Sequence, residues 1–161
     1  MTRLGQIALF AIALPVSVAA GQTVPGTSPP WKLSVSSSGG MTGSGIALTV
    51  TSAGTVNVEQ YPRKEHCSGR VPPEELSAIE TLIAKARPST WKREYVDPKN
   101  RDGCCDMFHS SLTLERGVAP AASTRETSWN TATASRLPAN LSKLAQAAFA
   151  AKHVCTPVLR P

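Results

Sequence analysis

The chain runs to 161 residues, 41 % apolar and 17 % charged, with a formal net charge of +6. That is room for one ordinary domain and too little for two large ones. Together with the leader at residues 1–20, it argues against an ordinary cytosolic enzyme, an integral membrane protein and a long coiled coil. In that leader Arg3 supplies a short positive start, Ile7 to Val18 an apolar run, and Val18-Ala19-Ala20 a small-residue cleavage site. Residues 1–20 therefore read as a secretory signal, and the protein as exported, periplasmic or secreted. The run is too short, and too interrupted by Pro15, to make a strong membrane span. Residues 21–30, rich in Gly, Pro, Ser and Thr, read as a linker. A domain over 31–155 and a tail over 156–161 complete the division.

Alternation begins at Trp31, Leu33 and Val35, with Lys32, Ser34 and Ser36 on the other side. This predicts a half-buried strand. Ser37 to Gly45 is a small-residue connection; Ile46, Leu48 and Val50 predict a second strand, and Val56 and Val58 a third. The turn Ser52-Ala53-Gly54 makes a hairpin between the last two. Tyr61 to Val71 is polar and reads as connection. Pro72-Pro73-Glu74-Glu75 then opens a helix, because proline suits the first turn and acids complement the positive end of the helix dipole. Leu76, Ile79, Leu82, Ile83 and Ala86 recur at helical spacing until Pro88.

Trp91 to Val96 reads as a short strand, and residues 97–103 as a turn. Residues 104–115 read as another strand with Phe108, Leu112 and Leu114 on one face. Arg125 to Trp129 gives the last strand. A second helix over Pro138 to Lys152 carries the stripe Leu141, Leu144, Ala145 and Ala148. Strand runs separated by single helices predict an α+β fold. The expected form is a mostly antiparallel sheet of about five strands, with two helices packed on one face.

Four cysteines follow the signal: Cys67, Cys104, Cys105 and Cys155. An even count in an exported chain predicts disulfides. Bridging the neighbours Cys104 and Cys105 would strain their shared backbone. The two favoured pairings therefore staple that central pair to Cys67 and Cys155, one bridge each.

Few residues point to chemistry. His66-Cys67, Cys104-Cys105-Asp106, His109 and His153-Cys155 could supply zinc ligands, but the short Cys-x₂₋₄-Cys knuckles of structural zinc sites are missing. A small metal-dependent hydrolase using Asp106 and a histidine is the remaining enzyme reading. No Gly-x-Ser-x-Gly elbow or His-Glu-x-x-His helix supports it. No metal or cofactor is expected. The basic pairs Arg63-Lys64, Lys85-Arg87, Lys92-Arg93 and Lys99-Arg101 are scattered and interleaved with Glu65, Glu94 and Asp102, so no continuous face for nucleic acid is expected either. The glycine-rich stretch Ser38, Gly39, Gly40, Met41, Thr42, Gly43 has no Walker or dinucleotide spacing. It reads either as a plain hairpin connection or as an exposed recognition loop with Met41 at its tip.

Ser38-Gly39-Gly40-Met41-Thr42-Gly43 after a first strand, and the hairpin around Gly54, resemble the start of the emfourin-like domain family. Pro73-Glu74-Glu75-Leu76, the Tyr95…Asp106…Phe108 progression and a last helix after Leu137-Pro138 are similar too. The resemblance spans residues 31–152. Its founder inhibits protealysin, so the resemblance implies a non-catalytic inhibitor of thermolysin-like zinc metallopeptidases, with loops docked in the enzyme's cleft. The signal and the four cysteines depart from that family's pattern. An envelope interaction or structural domain with another protein partner is the alternative.

Overall fold

The structure, a computed structural model, describes residues 28–96 and 107–157. The signal, most of the linker, the turn at 97–103, Cys104, Cys105, Asp106 and the end of the tail lie outside the described residues. Eight strands form one sheet: β1 (Trp31–Gly39), β2 (Ser44–Thr51), β3 (Thr55–Tyr61), β4 (Glu65–Arg70), β5 (Glu94–Tyr95), β6 (Phe108–Arg116), β7 (Ser123–Asn130) and β8 (Thr156–Pro157). Their spatial order is β5-β7-β6-β1-β2-β3-β4-β8. Every neighbouring pair is antiparallel except β5 with β7.

The alternation of the first three strands is the cause of one buried face. Leu33, Val35, Leu48, Val50, Val56, Leu112 and Leu114 are at most 1 % exposed. The intervening positions are mostly Ser, Thr, Asn and charged residues. Two of them join across strands, Ser34 to Thr49 at 3.3 Å and Ser36 to Ser111 at 2.8 Å.

Helix α1 (Pro73–Lys85) starts as its prolines and acids require, and stops where Arg87 turns left-handed before Pro88. It buries Ile79 and Ile83. Helix α2 (Ala139–Ala150) buries Leu141, Leu144, Ala145 and Ala148 in the same cluster. Asn140 Nδ2 donates to the Lys85 carbonyl at 3.2 Å, tying the start of α2 to the end of α1.

The α+β class holds, but five strands with two helices over one face is too simple. Short 3-10 segments at Pro88–Thr90, Thr131–Arg136 and Ala151–Val154 join the two α-helices, and Thr133 and Ala151 are buried from them. Asn130 caps the Thr131–Arg136 segment by accepting from the Thr133 backbone N–H at 3.0 Å. Strand β4 occupies what reads in sequence as polar connection. Cys67, its only inward side chain with apolar character, gives too short a pattern to signal a strand.

The disulfide is the second correction. Cys67 bonds to Cys155, so neither pairing that staples both to the central cysteines forms. The cause is topological. The chain after α2 runs back over β4, and β8 pairs with it at Cys67 and Ser68. The approach is close: a Cβ on Gly69 would lie 2.3 Å from the Val154 carbonyl oxygen.

Thr127 is fully buried, and its Oγ1 finds no hydrogen-bond partner among the described residues. An unpaired buried hydroxyl is destabilising, and valine has nearly the same shape. Thr127→Val is therefore expected to stabilise the fold by about 1 kcal/mol in urea unfolding. A loss of stability would show that the hydroxyl is paired.

Candidate interaction site

The loop singled out in sequence closes the β1–β2 hairpin. Gly40 to Gly43 form the turn, with the Gly43 N–H donating to the Gly40 carbonyl at 3.1 Å. Gly40 and Gly43 take φ of +73° and +60°, which side chains resist and glycine does not. Gly39 serves a different need. A Cβ there would lie 2.3 Å from the Met107 carbonyl oxygen, so only glycine lets the start of β6 come this close. Below the turn, Ser110 Oγ donates to Ser37 Oγ at 3.0 Å, fastening the hairpin to β6.

The register then gathers residues that are far apart in sequence. Phe108 lies opposite Gly39, and Tyr61 lies opposite Gly45. Four large apolar or aromatic side chains are exposed among the described residues, and three of them sit here: Met41 at 89 %, Tyr61 at 42 % and Phe108 at 40 %. Counting along β6 from buried Leu112 places Phe108 on the helix-covered side of the sheet. Counting along β3 from buried Val58 places Tyr61 on the other side. The hairpin tip is thus flanked by one aromatic ring on each face. Chiefly through a hydrogen bond with Glu59, and further through desolvation and the carboxylate's charge, the Tyr61 phenol pKa is raised above its ordinary value.

Phe108 keeps the expected face but is exposed on it. Periodicity puts it on the buried face with Leu112 and Leu114, and it does share that face. Periodicity does not say how far along a strand the helices reach. The exposed ring lies where that cover has ended. Tyr61 carried no sequence signal, because it stood in a polar stretch and only the β2–β3 register brings it to the hairpin.

The candidate metal and acid-base residues that are described do not converge. His109 on β6 and His66 on β4 are four strand spacings apart, about 19 Å. His66 Nε2 lies 3.9 Å from Glu59, whereas His153 Nε2 lies 3.3 Å from Glu75 on α1. Among the described residues no group of three His, Cys, Asp or Glu could hold a metal ion, and no helix is long and apolar enough to cross a membrane. Cys67 and Cys155 are consumed by their bridge.

Fold and exposed residues together define a disulfide-bonded α+β domain with an apolar hairpin end. No protein family, curated protein or solved structure matches the chain.

Proposed function

We propose that this protein is an exported, non-catalytic binding domain that docks the end of its β1–β2 hairpin into a protein partner. The observation that carries this reading is the gathering of Met41, Tyr61 and Phe108 around one glycine turn. Large side chains of this kind are costly to leave in water, and they anchor binding surfaces when a partner covers them. The strands behind the turn are paired on both sides, so the hairpin is held in advance and little order must be gained on binding.

The emfourin-like resemblance supplies the first partner to test, a thermolysin-like zinc metallopeptidase with an open cleft. Titration of the purified protein against such a peptidase is expected to give saturable inhibition. Met41→Ala is then expected to weaken it at least tenfold, an effect of about 1.4 kcal/mol or more, with no change in melting temperature. Absence of inhibition at micromolar concentration removes the peptidase as partner. Equal inhibition by Met41→Ala and the parent removes the hairpin as the docking element.

A further inference from the structure

Strand β7 is paired in full along one side only. All eight of its residues face β6, whereas β5 covers the other side at Ser128 and Trp129 alone. The Ser128 N–H donates outward to the Arg93 carbonyl at 3.1 Å. Strand geometry repeats every two residues, so the N–H and C=O groups of Thr124 and Glu126 point to the same side. They meet no backbone partner there among the described residues, and Ser123, Thr124, Arg125 and Glu126 are all exposed. The chain before β5 does not continue along this edge. Trp91 turns back to the end of α1, where its indole N–H donates to the Ala86 carbonyl at 2.9 Å. The edge is therefore a strand position that β5 fills at one end and leaves open along the rest.

Open edges invite pairing with other chains, and charge decides which chains. Arg125 lies on the helix-covered side of the sheet with buried Thr127, and Glu126 lies on the other side. Their neighbours across the β6 ladder, Leu114 and Thr113, carry no charge. Two copies could pair by this edge, antiparallel and with like faces aligned. The register that joins most of Ser123 to Thr127 then sets Arg125 opposite Arg125. The neighbouring registers set Glu126 opposite Glu126, or pair only three residues of each strand. Like charges directly opposite are destabilising, so the edge is guarded against its own copy. A strand with an acid opposite Arg125 and a base opposite Glu126 meets two favourable pairs instead.

We propose that the β7 edge binds an extended peptide segment of a partner protein by strand addition, the segment carrying an acidic residue next to a basic one. Thr124 and Glu126 supply the backbone donors and acceptors that hold the segment. Arg125 and Glu126 select its charges on opposite faces of the sheet. The site is separate from the hairpin end, which β7 reaches only at Asn130, opposite His109. It does not depend on the function proposed there.

NMR titration with the peptide acetyl-Thr-Lys-Glu-Lys-Thr-amide tests the assignment, because its central acid meets Arg125 in either strand direction. Saturable shifts are expected at the amides of Thr124 and Glu126. The charge-exchanged peptide acetyl-Thr-Glu-Lys-Glu-Thr-amide is expected to bind at least tenfold more weakly, and so is the first peptide with its backbone N-methylated. The protein's net positive charge favours the exchanged peptide, so bulk attraction does not give this order. Arg125→Glu combined with Glu126→Arg is expected to exchange the preference. Thr124→Pro removes an outward donor that the β6 ladder does not use, at an edge where proline is tolerated. It is expected to keep the parent's melting temperature and to weaken binding at least tenfold. No saturable shift at Thr124 and Glu126 at millimolar peptide overturns the proposal. So does equal binding of the two charge patterns by the parent protein, a result that needs no variant to be folded. A dimer of the peptide-free protein that Thr124→Pro abolishes would assign the edge to a second copy and overturn it too.

Discussion

Replacing Cys67 and Cys155 together by serine is expected to lower the unfolding free energy by about 2–5 kcal/mol. The bridge joins residues 88 positions apart, so it excludes many extended conformations from the unfolded chain. It also holds a thinly paired edge of the sheet. Strand β8 is only Thr156–Pro157, pairing with β4 at two positions, and β4 has little apolar surface of its own to bury. The loss should therefore have a location as well as a size. In hydrogen exchange, amides of β4 (Glu65–Arg70) are expected to lose protection more than those of β1, which has long partners on both sides. Urea unfolding of the double variant measures the total. A change below about 0.5 kcal/mol, within the range of ordinary surface substitutions, would show that pairing and packing hold the C-terminal segment without the bond.

Where one periodic signal decided an element, the sequence was a sound guide. Pro73-Glu74-Glu75 and the stripe ending at Ala86 specify α1 almost residue by residue, and the alternation of Trp31, Leu33 and Val35 specifies the face of β1. What sequence could not supply depended on distance along the chain. Strand β4 exists because β3 is beside it and the C-terminal segment covers it, not because Glu65–Arg70 carries a strand pattern. The Cys67–Cys155 pairing follows from that same return of the chain. Backbone strain between the neighbours Cys104 and Cys105 carries no information on which distant elements meet. The candidate loop was half legible. Its glycines announced a tight turn and Met41 its tip, but Tyr61 and Phe108 join it only through register.

Leu112→Ala and Phe108→Ala, four residues apart on one face of β6, are expected to differ sharply in cost. Leu112 has no exposed surface and lies between Val35 of β1 and Thr127 of β7. Its truncation removes buried methyl groups and leaves a cavity that strands paired on both sides cannot readily close, for a loss of about 2–5 kcal/mol. Phe108 is 40 % exposed, and Thr131 Oγ1 already accepts from its backbone N–H at 3.2 Å, a bond that alanine keeps. Its truncation is expected to cost under about 1 kcal/mol. Urea unfolding of both variants reads the difference, and the result bears on function. A Phe108→Ala cost as large as that of Leu112→Ala would mean that the ring is covered. The hairpin end would then lack one of its two flanking aromatics as a surface for a partner. A small cost, together with weakened binding of the partner, would place the ring's contribution in recognition rather than in the fold.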